Sequence, residues 1–144
     1  MRRQGPPHIN HDDPSLVPNV PYFDLVQTIP TSDKFEVKGV AASALNISDD
    51  GRYILTSTAG DNCVSLFQIN QENGELTRLF YLPVSGEYPK DAALFPDNKH
   101  LVSLNHESNT MTFFRVDYEH NYMVMNGKEL EINQANCIIF HELP

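Results

Sequence analysis

Basic residues are scarce in this chain. Ten Lys and Arg stand against nineteen Asp and Glu, giving a net charge of −9 and a sequence pI near 4.9. The one clustered positive pair is Arg2-Arg3. No basic surface exists to displace counterions from phosphate, which excludes a nucleic-acid partner. Long apolar runs are missing as well. No stretch reaches the ~18 residues of a membrane span, so no membrane association is expected. The opening MRRQGPPHINHDDP has no apolar core of a secretory signal. Cysteine is limited to Cys63 and Cys137, which form no metal-type pair. Reduced thiols in a cytoplasmic protein are the resulting expectation. Finally, no window sustains the apolar i, i+3, i+4 spacing of an amphipathic helix.

The sequence is rich instead in short β-type runs. Residues 1–21 stand apart, with Pro6, Pro7, Pro14, Pro18 and Pro21. Each proline removes an amide donor and fixes φ, so an irregular arm is expected there. From Tyr22 onward come Phe23–Pro30, Ala41–Ile47, Tyr53–Thr58, Cys63–Ile69, Leu76–Leu82, Asp91–Phe95, His100–Asn105, Met111–Val116, Met123–Ile132 and Asn136–Phe140. Most are built of residues that suit a pleated, half-buried surface. Turn compositions such as Asp49-Asp50-Gly51, Glu72-Asn73-Gly74 and Pro96-Asp97-Asn98 separate them. The fold class is therefore all-β.

An internal repeat organises these runs. A shift of 47 residues lays Gly51–Ser57 on Asn98–Leu104, Val64–Phe67 on Met111–Phe114 and Leu76 on Met123, with no insertion. A period in the forties with four short strands per unit is the signature of propeller blades. The expected architecture is a partial β-propeller with about two four-stranded antiparallel blades. One blade covers residues 41–82 and the other 91–132. Residues 23–30 read as the outer strand of a preceding blade, and 136–140 as an inner closing strand of a following one. Tyr53, Phe67, Phe113 and Phe114 fall where blade packs on blade. Two blades alone would leave an apolar face bare on each side. The chain is then expected to be a piece of a longer product, a truncated relative, or a protein that self-associates.

Meander geometry sorts the connections onto two ends. One end collects Lys34–Val40, Thr58–Asn62, Glu87–Asp91 and Asn105–Asn109, a convergent mixture of acid, base and amide. The other collects Asp49–Arg52, Gln71–Glu75, Asp97–Lys99 and Asp117–Asn121, charged turns without evident chemistry. Ligands favour the mouth of a propeller's channel, so the first end is the candidate site. There, Lys90 and Asp91 could bind an anionic substrate. His106 could activate water, with Glu107 orienting it or acting as base, and Asn105 could stabilise an oxyanion. The same residues suit a tight turn, a local ion pair or an inter-blade brace. His8, His11, Asp12 and Asp13 offer metal-type ligands, but no distant third ligand is marked, and no metal or other cofactor is expected.

The repeat also resembles a known family. "ALNISDDGRYILTSTAGDNCVSLFQINQENGELT" and "SGEYPKDAALFPDNKHLVSLNHESNTMTFFRVD" are similar to the last two blades of the seven-bladed lactonase propellers, which include 6-phosphogluconolactonases. "NCIIF" and, near the start, "QGPPHI" fit the same pattern. The resemblance implies a lactone hydrolase of carbohydrate metabolism acting on a small anionic lactone or sugar phosphate. A non-catalytic propeller module binding a protein or small ligand at the same face is the alternative. The family usually carries Asn-Arg where this chain has Thr58-Ala59. It carries Pro-Arg-Asp at Pro89-Lys90-Asp91, and Gly-Pro-Arg-His where Pro7 stands. Lys90 keeps one of three positive charges but lacks the guanidinium fork.

Overall fold

The computed structural model describes residues 24–33 and 40–141. Among these there is no helix, and so none long and apolar enough to cross a membrane. Nine strands among the described residues form two antiparallel sheets. The first blade holds β1 (Ala41–Ile47), β2 (Tyr53–Ala59), β3 (Cys63–Ile69) and β4 (Leu76–Pro83), in that spatial order. The second holds β5 (Pro89–Leu94), β6 (His100–Asn105), β7 (Thr110–Asp117) and β8 (Tyr122–Met125), with β9 (Leu130–Glu131) also on β7.

The 47-residue repeat extends to details of backbone. Ile54 pairs with Phe67, and Leu101 with Phe114, at the equivalent register. Left-handed turn residues coincide as well: Gly51 with Asn98, Gly74 with Asn121, and Asn62 with Asn109. Glycine and asparagine are the residues that adopt positive φ at least cost, so the two blades solve the same turns with different side chains. Both inner strands carry a bulge at the same place, between Ala42 and Ala44 in β1 and between Pro89 and Asp91 in β5. The extra residues are Ser43 and Lys90. They also meet, since the Ser43 hydroxyl donates to the Lys90 carbonyl at 2.9 Å.

Strand alternation gives each blade two faces. Leu55, Val64, Leu66 and Phe80 of the first blade pack against Ala92, Leu94, Leu101, Phe114 and Val116 of the second, with Val84 of the connection between them. This seam is the described hydrophobic core. Tyr53 and Phe114 pack at it as expected, Tyr53 stacking on Tyr118 with ring centroids 4.5 Å apart. Phe67 is buried on the first blade's far face.

Three expected strands differ from the structure. Residues 24–30 form no strand. They run beside β4, where the Gln27 side-chain amide donates to the Leu76 carbonyl (3.2 Å) and accepts from its amide (2.7 Å). Ser65 then donates to Thr31, and Ser32 to Asp61, on the far face. Residues 136–140 also form no strand. They cross the far face of the second blade, where the Ile138 amide donates to Asp91 (2.8 Å) and Phe140 lies 4.6 Å from Phe95. In both segments the composition suits a strand, but no neighbouring ladder is present among the described residues to satisfy its amides. The expected run 123–132 is split into β8 and β9, because residues 127–129 loop away from β7 after the Asn126 amide has donated to the Phe113 carbonyl (2.7 Å). The proposed arm, 1–21, lies outside the described residues.

Leu66 is fully buried at the centre of the seam. Leu66→Ala should cost about 3 kcal/mol of unfolding free energy through lost transfer and a residual cavity. Urea denaturation checks this, with a lower midpoint expected at an unchanged m-value.

Candidate functional site

The connection from β4 to β5, residues 84–88, descends between the β2–β3 turn and the β6–β7 turn and is pinned to both. The Val84 amide donates to the Asn62 carbonyl (3.0 Å), and the Tyr88 amide to the Asn62 side chain (2.8 Å). From the other side, the His106 amide donates to the Tyr88 carbonyl (3.0 Å) and the Glu107 amide to the Glu87 carbonyl (3.2 Å). The Glu87 amide in turn donates to Ser108 Oγ at 3.0 Å. Lys90, Asn105, His106 and Glu107 thus share one end of the two blades, as the meander geometry requires.

Their side chains do different things. Lys90 is the bulge residue of β5, and a bulge re-aims its side chain out of the regular alternation. Its ammonium lies over the Tyr88 ring, 5.6 Å from the centroid, a cation–π placement. The His106 ring lies 6.4 Å from the same Tyr88 ring. His106 is half-buried, and its Nδ1 is enclosed without a hydrogen-bond partner. Glu107 is exposed, and its carboxylate makes no hydrogen bond to His106. Glu107 therefore does not orient the imidazole in this geometry.

Asn105 and Asp91 are structural. Asn105 is 1% exposed. Its Oδ1 accepts from Ser103 (2.9 Å), and its Nδ2 donates to Thr110 (3.2 Å) and Thr112 (3.1 Å). Both amide protons are engaged, so Asn105 is not an oxyanion donor; strand alternation turns it into the seam with Ser103 and Thr112. Asp91 accepts from Asn46 (3.2 Å), from the Ala92 amide (2.9 Å) and from the Ile138 amide (2.8 Å). It ties the inner strand of the first blade and the segment after β9 to β5. That is the inter-blade brace, with its carboxylate oxygens occupied.

Two residues at this end were not foreseen. Asn62 is marked only as a turn residue by its sequence. Tyr88 could have been found from its place before Pro89-Lys90-Asp91, where the chain enters an inner strand. Elsewhere, a groove of about 770 Å³ opens at the opposite end between Asn46, Ile47, Ala93 and Ile138–His141. None of the five expected site residues lines it. At that end Asp50, Asp97 and Asp117 each accept backbone amides two or three residues on. The Ser48 hydroxyl and the Arg52 amide hold the Asp50 carboxyl below the usual carboxylate range. This is turn chemistry. Among the described residues no three His, Cys, Asp or Glu gather as a metal ion would need. His8–Asp13 lies outside them.

Comparison with known proteins decides the family. The profile of the seven-bladed β-propeller lactonases matches residues 16–140. The chain belongs to the lactonase family. The 6-phosphogluconolactonase of Bacillus subtilis is 26% identical to this lactonase-family chain over 98 residues, which is 68% of the chain and 28% of that protein. The 6-phosphogluconolactonase of Formosa agariphila is 31% identical over 96 residues, 65% of the chain and 27% of that protein. In structure, the periplasmic gluconolactonase of Pseudomonas aeruginosa superposes with a TM-score of 0.70 at 23% identity, over 80% of this chain and 32% of its own. A Lactobacillus plantarum protein gives 0.65 at 22% identity, over 74% and 31%. These two likenesses concern the fold. The chain spans about a third or less of the length of each of these relatives.

The packing at Gly86 yields a test of the structural assignment. A Cβ on Gly86 would stand 2.2 Å from Asn105 Nδ2, and Asn105 is held by three hydrogen bonds. Gly86→Ala should destabilise by about 2 kcal/mol through overpacking. Asn105→Ala should cost a similar ~2 kcal/mol by leaving buried hydroxyls unpaired. Thermal or urea unfolding of each variant checks both. A neutral Asn105→Ala would show that the amide is not needed at the seam.

Proposed function

We propose that this chain contributes part of the active site of a lactone hydrolase of the 6-phosphogluconolactonase kind, acting on a small anionic lactone of carbohydrate metabolism. The supporting observation is the shared Tyr88 ring at one mouth, with a fixed cation on it and an imidazole beside it, in a chain of the lactonase family. Lys90 holds the phosphate or carboxylate of the substrate. His106 accepts a proton from water as the water oxygen bonds to the lactone carbonyl carbon. The ring C–O bond then breaks, and the departing alkoxide takes the proton to give the open hydroxy acid. Glu107, exposed beside His106 in sequence, is the second acceptor available to the same water.

Burial of Asn105 favours a second reading. It removes the one side-chain amide proposed for the oxyanion, which leaves a mouth able to bind the same anion without turning it over. The family is seven-bladed, and Leu45 and Ile47 stay exposed on the far face of β1. Further blades, or a second copy of the chain, would cover that face.

Proton release from 6-phosphogluconolactone by this chain, alone and joined to further blades, tests the proposal. Lys90→Ala should raise KM about tenfold, as loss of one charge-assisted contact predicts. His106→Ala should lower kcat by about 10²-fold, the typical share of a general base. Unchanged kinetics in both variants would remove these residues from the mechanism. Lys90-dependent binding without hydrolysis would favour the binding module.

A further inference from the structure

Among the described residues, most of those with positive φ are Gly or Asn, which adopt that backbone readily. Tyr88, at φ +58°, is not of that kind. An aromatic residue in the left-handed region is an outlier, and such outliers persist only where their surroundings impose them. The next residue makes the position more restrictive still. Pro89 is fully buried and bars its predecessor from the right-handed helical region. The imposing contacts are visible on both sides of Tyr88: Asn62 of the first blade takes its amide, and its carbonyl takes the amide of His106 in the second. The left-handed backbone therefore sets where the Tyr88 ring lies relative to both blades.

That ring is the common neighbour of the two groups with chemistry at this mouth. The Lys90 ammonium is 5.6 Å from its centroid and the His106 ring 6.4 Å. No hydrogen bond or ion pair to the Lys90 ammonium is present among the described residues. Lys90 has a long, flexible stem, and without the ring its charge would sample solvent. His106 likewise has no partner at Nδ1 to fix its orientation.

We propose that Tyr88 is the positioning and specificity-determining residue of this mouth, held in a left-handed conformation by the two turns so that its ring sets Lys90 and His106 as a pair for an anionic sugar lactone over a neutral one. The proposal rests on the reading of this mouth as a site for such a lactone. It goes beyond that reading in assigning the anion preference to a residue that need not itself react.

Glycine separates the structural role from the functional one, because glycine adopts φ +58° without strain. The parent chain, Tyr88→Gly and Tyr88→Phe are compared for melting temperature and for binding of 6-phosphogluconate by titration calorimetry. Proton release from 6-phosphogluconolactone and from unphosphorylated gluconolactone is measured alongside. Tyr88→Gly is expected to melt at or above the parent's temperature yet bind 6-phosphogluconate at least tenfold more weakly, and to lose preference for the phosphorylated lactone by a similar factor. Tyr88→Phe keeps the ring and is expected to stay within twofold of the parent. Parent-like binding by Tyr88→Gly, or a comparable loss in Tyr88→Phe, would overturn the proposal. If the parent binds 6-phosphogluconate through Tyr88 but hydrolyses neither lactone, the hydrolase reading fails and the role of Tyr88 stands. If the parent hydrolyses the phosphorylated lactone and Tyr88→Gly does so with equal preference, the reverse holds. A parent that does not bind 6-phosphogluconate removes both.

Discussion

Asn105 sits at the closed end of the seam with both protons and its oxygen engaged, and the arrangement around it fixes everything at that end. Its amide donates to Thr112, and the Thr112 hydroxyl donates to the Val84 carbonyl at 2.8 Å. The connection between blades is thereby drawn down onto the second blade. Once there it passes so close to Asn105 that residue 86 has room for no side chain. From Gly86 the chain must still reach the inner strand at buried Pro89, with Glu87 and Tyr88 paired to the β6–β7 turn on the way. The left-handed Tyr88 lies on that route, with its carbonyl taken by the His106 amide. A buried polar network of this kind is costly if half satisfied, and here it is complete, which gives the seam one register where apolar packing alone would tolerate several.

Much of this was legible in the sequence, for a reason specific to repeats. An uninterrupted offset of 47 equates residues between blades, and equivalent residues inherit register, turn conformation and even the bulge at Ser43 and Lys90. The end of the sheets that carries Lys90 and His106 follows from strand order alone. The role of Asn105 was readable in principle, because Leu101, Ser103 and Asn105 alternate onto one face of β6 and Leu101 is core. Asp91 was harder, since its partner Asn46 lies in the other blade and Ile138 in a segment that forms no strand. The left-handed backbone of Tyr88 was not legible at all. No propensity places an aromatic residue before proline in the left-handed region, and only tertiary contacts impose it.

The flanking segments show where local composition stops being decisive. Residues 24–30 and 136–140 have the side chains of strands, yet a strand is defined by its neighbours' amides and carbonyls. Without a ladder to join, the first segment offers a glutamine side chain to the edge of β4, and the second one main-chain amide and an aromatic ring to the face of β5. The first lies along an edge and the second over a face that two isolated blades would otherwise leave open. Coverage is partial: Leu45 and Ile47 remain more than half exposed, as does Leu130 on the other blade.

The two blades share a backbone but not a chemistry. Ser43 of the first blade is equivalent to Lys90 of the second, Thr58 to Asn105, and Ala59 to His106. At each of these positions the first blade carries a group that does not titrate near neutrality. Its contribution to the mouth is the Asn62 side chain, which holds the Tyr88 amide. Charge and proton-accepting capacity come from the second blade, and the first acts as the wall that holds Tyr88 in place. Symmetric repeats build a mouth with equivalent positions from each blade, so what any one mouth can do depends on where the repeat is broken. Here it is broken at Lys90 and His106, around a tyrosine whose backbone both blades hold.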